Sequence, residues 1–353
     1  MKILTIIGAR PQFVKAAPVS KALRAARHEE FLVHTGQHYD PKMSQIFFDE
    51  MGIPAPNINL EVGSGNHGWQ TAQMLMGIEN LLIQEKPDWI LVYGDTNSTL
   101  AGSLAAVKLH IPIAHVEAGL RSFNRRMPEE HNRILTDHAS DLLFCPTQTA
   151  ATHLANEGIT KGVHIVGDVM YDAILSFTGL AEQNSTLLKN MKIAPNDYFL
   201  ATIHRPANTD DPKSLMEIFE AFRELDENII FPVHPRTRGK ITDLIDTLDE
   251  FAPKLKLIEP VGYLDMLSLA KNAKTILTDS GGLQKEAYWL NTPCVTLREE
   301  TEWVETVDAG WNTLVGTDKG KILSAVNDWA MPNERPSIYG DGHAAEKIAE
   351  FLG

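Results

Sequence analysis

One rhythm along the chain constrains its fold more than any other feature. A short apolar run is followed by a turn of glycine and polar residues, and then by a helix-length segment. The runs of the first half are residues 2–7, 31–35, 89–93, 113–116, 142–145 and 164–166; those of the second are 198–203, 229–233, 255–258, 275–278 and 294–297. Strands that alternate with helices predict parallel sheets with crossovers on both faces. At 353 residues the chain divides naturally into two domains of ordinary size. Gly167-Asp168 reads as the hinge, and the polar segment at 332–336 as a return linker, so that a last helix at 343–352 packs back on the first domain. The expected domains are 1–167 plus 338–353, and 168–337. The expected fold is α/β, with two doubly wound domains and a cleft between them.

In such sheets ligands bind at the carboxyl ends of the strands. Arg10, Gln37, His38, Asp95, Glu117, His204, His234, Ser280 and Glu302 all fall just after a predicted strand. Surface placement explains any one of them, but chance does not readily collect all of them at one edge of two sheets. The most pointed stretch is LTDSGGLQKEA, 277–287. A strand turns through Ser280-Gly281-Gly282 into a helix. The first turn of a helix leaves N–H groups unpaired at the positive end of its dipole, and glycines let a bulky anion approach the backbone. The pattern fits a phosphate cradle, with Glu286 one turn on and able to grip ribose hydroxyls. Taken alone, the same residues fit an Asp279 N-cap and a tight turn with no ligand.

Composition narrows the partners. A formal net charge of −14 argues against a duplex-binding surface or an anionic membrane partner, since either needs a basic face. No apolar run approaches the roughly 20 residues that a membrane-spanning helix requires. The N-terminus enters a strand directly, with no signal-peptide pattern. Cys145 and Cys294 stand in apolar, strand-like settings and read as buried thiols of a cytoplasmic protein. No Cys/His cluster has metal-ligand spacing, so no metal is expected.

Five motifs in order carry a more specific signal: GARPQFVKAAP (8–18), YGDTNSTLAGSLAA (93–106), HVEAGLRS (115–122), PEEHNRILTDH (128–138) and LTDSGGLQKEA (277–287). With them the whole chain resembles the non-hydrolysing UDP-N-acetylglucosamine 2-epimerases. The resemblance implies a glycosyltransferase-B-type architecture of two Rossmann-like domains, usually in a homodimer, with a UDP-sugar and UDP as ligands and no cofactor. No Gly-x-Gly-x-x-Gly nicotinamide fingerprint follows the first strand. The implied chemistry eliminates UDP to a 2-acetamidoglucal and adds it back after protonation of carbon 2 from the other face. That needs two proton-transfer groups on opposite faces of the sugar, and cations and N–H groups for the departing diphosphate.

By resemblance Asp95, Glu117 and Glu129 transfer protons. Arg10, Lys15, Arg133 and His204 meet the diphosphate or assist its departure. Ser280, Gly281 and Gly282 cradle it, Glu286 takes the ribose, and Tyr263 holds uracil by its ring or backbone. Gln37, His38, His234 and Glu302 are candidates for a second site or for sugar contacts. Locally, Asp95 also fits an N-cap, Glu129 a first-turn acid, Lys15 a surface lysine, His204 a structural histidine and Tyr263 a core aromatic. The sequence departs from the family's pattern in several places: Ala9 and Gln12 stand where threonine and glutamate are common, Trp303-Val304 where Arg-Pro is common, Pro206 where a second arginine is usual, and Asp40 where glutamine or glutamate is frequent. The variants at Ala9, Gln12 and Trp303-Val304 are similar to the branch acting on UDP-2,3-diacetamido-2,3-dideoxyglucuronic acid, whose extra carboxylate Arg121, Arg125, Arg126, Arg236 or Arg238 would receive. Other readings are a hydrolysing relative, a glycosyltransferase, or a UDP-sugar-binding protein without catalysis.

Overall fold

A computed structural model describes residues 1–37, 53–233, 235–244, 251–330 and 332–353. The chain forms two compact units, Met1–Ser176 with Ser337–Gly353, and Phe177–Pro336. The division falls inside the helix Val169–Asn184, a little beyond Gly167-Asp168.

The first unit is built on a parallel sheet of β1 (Lys2–Ile7), β2 (Glu29–His34), β3 (Ile58–Asn59), β4 (Trp89–Tyr93), β5 (Ile113–Val116), β6 (Leu142–Cys145) and β7 (Val163–Ile165), in the order β3-β2-β1-β4-β5-β6-β7. The order reverses between β1 and β4, which pair with Leu4 beside Ile90. Successive strand residues point to opposite faces. Leu4, Ile6, Ile90 and Val92 therefore share one face, and they pack with Met74, Ile78 and Leu82 of the helix His67–Glu85 and Ala101 and Ala105 of the helix Asn97–Lys108. The C-terminal helix Ala344–Phe351 closes on this unit, where His28 Nε2 lies 3.3 Å from the Ala349 carbonyl.

The second unit repeats the plan with β8 (Tyr198–Thr202), β9 (Asn228–Pro232), β10 (Leu255–Ile258), β11 (Thr275–Thr278), β12 (Cys294–Thr296) and β13 (Asn312–Leu314), ordered β10-β9-β8-β11-β12-β13. Phe199, Ala201, Ile229 and Phe231 meet Leu215, Ile218, Phe219 and Phe222 of the helix Pro212–Glu224. Tyr198, Leu200, Ile230 and Ile276 meet Leu269 and Ala270 on the opposite face. Burying each such side chain contributes about 1.5–3 kcal/mol. Both faces are covered, as continuous apolar runs require.

Two strands escape the periodicity. β3 is only two residues long and sits at a sheet edge. β13 carries Asn312 at a buried position, where its side chain bonds Thr296, Gln284 and Thr306 at 2.7, 3.1 and 3.1 Å. A buried but satisfied amide interrupts an apolar run without leaving the core. Among the described residues, no helix is long and apolar enough to cross a membrane.

Candidate active site

In the first unit the functional groups gather where β1, β4 and β5 end. Gln12, one turn into the helix Arg10–Ala25, is buried and uses both ends of its amide. Its Oε1 accepts the N–H groups of Gly8 and Ala9 at 2.8 and 3.0 Å, and its Nε2 donates to the Tyr93 carbonyl at 2.9 Å and to Thr99 Oγ1 at 3.1 Å. The glutamine thus supplies a donor that an ionised glutamate lacks.

Lys15, further along the same helix, places its ammonium on the carboxylate of Glu117, and both side chains are largely buried. Glu117 follows β5 with a φ of 71°. Left-handed backbone costs a side-chain-bearing residue roughly 1–2 kcal/mol, so something must hold it. The Phe144 carbonyl does so, accepting the N–H groups of Glu117 and Ala118, each at 3.1 Å. Gly94, at φ 60°, lies against the pair: a Cβ there would stand 3.1 Å from Glu117 Oε2 and 3.3 Å from Lys15 Nζ. A side chain would strain the backbone and crowd the ion pair together.

Asp95 follows immediately. Its Oδ2 meets Arg133 Nη2 at 2.6 Å, and its carbonyl accepts Asn132 Nδ2 at 2.9 Å. The N-cap of the helix Asn97–Lys108 is Thr96, whose hydroxyl oxygen accepts the Thr99 N–H, so Asp95 is released from that structural use. Arg133 is buried and also contacts Glu130 at 3.0 Å, so this arginine braces Asp95 within the unit. Glu130 is buried and accepts from Ser122 N and Oγ and from Phe123 N. Burial alone would raise its carboxyl, but the Ser122 and Phe123 hydrogen bonds and the charge of Arg133 leave it below the usual carboxylate range. Its neighbour Glu129 is half-buried and has no hydrogen-bond partner among the described residues. Glu130 and Asn132 thus stand beside Asp95 in the candidate site, within a motif whose reading passed over them, and Gln12, noted in the sequence only as a departure, is bonded to both strand ends.

Gln37 is anchored by Ser98, whose Oγ and N–H reach its Oε1 at 2.7 and 3.2 Å. His38, His234 and the side chains of Arg10 and Arg236 lie outside the described residues. Arg121 is not available to an added carboxylate. It is buried, and its guanidinium is committed to Asp137 Oδ2 at 2.7 Å and to both oxygens of Glu157 at 2.7 and 2.8 Å. Arg238 pairs with Glu259 at 2.9 Å, whereas Arg125 and Arg126 are exposed.

In the second unit the corresponding place is where β8 and β11 end. Ser280 caps the helix Gly281–Trp289, accepting the Leu283 N–H. Asp279 is not the cap. Fully buried, it accepts the N–H groups of His204 and Arg205 and an N–H of Asn208, and ties the two strand ends together. His204 Nδ1 lies 3.4 Å from Asp279 Oδ1, while the ring is half exposed. Its position directly before Ser280 was the only sequence signal for Asp279.

The N–H groups of Gly281 and Gly282 find no acceptor among the described residues, as the open first turn of a helix requires. Glu302 packs against this turn: a Cβ on Gly281 would stand 2.4 Å from Glu302 Oε1. Glu302 is itself held by Arg298 at 3.1 Å, with Arg205 at 3.9 Å. Where the resemblance expects arginine, Trp303 is buried beside the cradle, and the buried Lys285 ammonium lies 3.7 Å from its ring centroid. Glu286 is buried in the second turn. The Tyr263 ring is also buried, edge-on to Phe177 at 6.0 Å, so it is a core aromatic and leaves only its backbone for a base.

Twin parallel sheets whose strand order reverses beside an acid cluster in one unit and an open helix N-terminus in the other mark a nucleotide-sugar enzyme of glycosyltransferase-B-type architecture. The chain belongs to the UDP-N-acetylglucosamine 2-epimerase family, whose model matches residues 21–353, and it is an isomerase. It is 57% identical to a UDP-N-acetylglucosamine 2-epimerase homolog of Methanococcus maripaludis, over 100% of this chain and 99% of that one. It is 51% identical to the UDP-2,3-diacetamido-2,3-dideoxy-D-glucuronate 2-epimerase of Pseudomonas aeruginosa, with the same coverage. The crystal structure of Methanocaldococcus jannaschii UDP-GlcNAc 2-epimerase in complex with UDP-GlcNAc and UDP superposes with a TM-score of 0.92 at 45% identity, again over 100% and 99% of the two chains.

Proposed function

We propose that this chain interconverts UDP-N-acetylglucosamine and UDP-N-acetylmannosamine by eliminating UDP to a 2-acetamidoglucal and adding it back. The observation that carries the reading is the pair of acids at adjacent strand ends. Glu117 is held on Lys15 in a left-handed turn, and Asp95 is braced by Arg133. Two fixed carboxylates on separate supports suit proton transfer at two faces of one carbon. Glu129, half-exposed in its helix's first turn, is a third proton-transfer candidate.

The second unit carries groups of the kind that the leaving-group end needs. The free N–H groups of Gly281 and Gly282 would stabilise the charge that develops on the diphosphate. His204, its ring half exposed and its backbone fixed by Asp279, would donate to the departing oxygen. Glu286 would take the ribose.

The diacetamido-glucuronate nucleotide is the second reading, favoured by Gln12, by Trp303-Val304 and by the 51% identical relative. With Arg121 committed elsewhere, the exposed Arg125 and Arg126 are the cations left in that loop for the extra carboxylate. Proton NMR of the pure protein in deuterated water decides between the two. Appearance of the manno epimer carrying deuterium at carbon 2 supports the lead substrate. No turnover of UDP-N-acetylglucosamine, with turnover of the acid sugar nucleotide, keeps the reaction and changes the substrate. Silence with both overturns the proposal.

A further inference from the structure

His115 lies on β5 two residues before Glu117, with no solvent exposure, and both of its ring nitrogens face oxygen acceptors. Nδ1 is 2.7 Å from Asp137 Oδ1, and Nε2 is 2.8 Å from the Gly94 carbonyl oxygen. A carbonyl oxygen can only accept, so Nε2 carries a hydrogen. On the Nδ1 side, Asp137 is an acceptor already. Its other oxygen takes Arg121 Nη1 at 2.7 Å and the Gly119 N–H at 3.1 Å. A guanidinium and an N–H on that oxygen favour the ionised carboxylate. An ionised Asp137 leaves Nδ1 as the donor.

We propose that His115 is a buried imidazolium that donates from both nitrogens, and that its Nε2–H is the positioning contact for the Gly94-Asp95 turn. The charge count supports this. Without the ring, Arg121 is one cation against the two carboxylates Asp137 and Glu157, so a charged His115 balances the cluster, with His138 3.3 Å from the outer side of Glu157. Cys145 adds no charge, since burial, with Asp137 next in effect, pushes its thiol up to about 12. A neutral ring protonated only at Nδ1 would set a lone pair against the Gly94 oxygen, and the turn would move. That turn carries Asp95 and abuts the Lys15–Glu117 pair, so His115 acts on the proposed reaction through geometry, without touching substrate. The Gly94 N–H bonds the Val116 carbonyl at 3.0 Å, so the same strand fixes the turn from both sides of the residue.

The inference rests on the proposed reading only for its consequence in turnover, and the experiment separates the two. Nitrogen-15 histidine labelling, with His115→Gln to assign the signals, should show both ring nitrogens of His115 protonated near neutral pH. In Asp137→Asn the ring should revert to one protonated nitrogen. A wild-type spectrum with one unprotonated nitrogen, as when the proton resides on Asp137, overturns the proposal whether or not the protein is an epimerase. In kinetics, His115→Asn, whose shorter amide keeps a donor on the Asp137 side and does not reach the Gly94 carbonyl, should lose turnover by about 100-fold, as for a small misplacement of reacting groups, with KM and UDP affinity within about twofold. Unchanged turnover, or a loss in UDP affinity alone, refutes the positioning role. If His115→Asn does not fold, His115→Leu supplies the kinetics, and any of these variants supplies the assignment.

Discussion

Glu117→Gln separates the structural from the catalytic use of one carboxylate. The substitution keeps the size of the side chain and removes its charge, leaving the Lys15 ammonium without the partner it contacts. The two side chains are 12% and 6% exposed, so solvent compensates little. Breaking a buried pair at one end costs about 3–5 kcal/mol, most of it the stranded charge. Taking about 3 kcal/mol, at roughly 2–4 °C per kcal/mol for a domain of this size, Tm should fall by about 6–12 °C. Removing the lysine as well, in Glu117→Gln/Lys15→Met, eliminates the stranded charge and should restore most of that loss.

Turnover should not follow stability. If Glu117 transfers a proton, both variants lack the group and should lose about 100-fold or more, equivalent to about 2.7 kcal/mol in the barrier. UDP affinity in Glu117→Gln, measured by titration calorimetry, should stay near that of the wild type. The assays are scanning calorimetry for Tm and proton NMR for epimer formation. Glu117→Gln turning over within a few-fold of the wild type would remove the residue from the chemistry. Activity that returns in the double variant would mean that Glu117 matters only as the partner of Lys15.

Three further outcomes follow from local geometry. Gly281→Ala should weaken UDP binding by about tenfold or more, because its Cβ would meet Glu302 Oε1 at 2.4 Å and a displaced donor forfeits about 1.5–3 kcal/mol; Gly282→Ala, whose nearest neighbour is 4.0 Å away, should lose less, and equal losses in the two would mean that the approach of the anion, and not the Glu302 contact, sets the cost, whereas no loss in either would refute the cradle. Burial raises the Asp172 carboxyl to about 6, against the Ala345 and Ala344 N–H groups, which lower it. The folded state therefore binds this proton more tightly than the unfolded one, and the resulting stability is complete below about pH 4 and lost as pH rises through about 6. Asp172→Asn should remove that decline of roughly 2–3 kcal/mol from a pH series of unfolding curves, and an unchanged slope would contradict it. Trp303→Leu removes the ring under the Lys285 ammonium and should cost about 2–4 kcal/mol in urea unfolding, a loss that Trp303→Leu/Lys285→Met should partly recover.

The sheets were legible in the sequence because apolar runs bounded by glycine and polar turns have one economical arrangement. The rule that ligands sit at the carboxyl edge then selects Asp95, Glu117, His204 and Ser280 from the sequence alone. What escaped was set by partners distant in sequence. Asp279 and Ser280 are both good N-caps by type. Ser280 won the cap because Asp279 is claimed by His204 and Arg205, more than seventy residues away. Arg121 reads as a free cation in a polar loop until Glu157 and Asp137 are seen around it. Asn312 hid β13 because its amide is satisfied only by three other segments.

Part of that information was nevertheless implicit in the strand order. Doubly wound sheets bring the ends of their first and fourth strands together at the switch point. In the first unit those ends are joined by Gln12, which donates to the Tyr93 carbonyl at the end of β4. In the second they are joined by Asp279, past β11, which accepts the backbone of His204, past β8. Each unit uses a buried polar side chain to lock two loops that carry candidate functional groups. A chain read as doubly wound therefore predicts two kinds of polar residue at these ends, those that meet the ligand and those that bind the opposite loop. Gln12 and Asp279 belong to the second kind, and their buried, fully bonded side chains distinguish them from Asp95 and His204, which retain exposure and are proposed for the first.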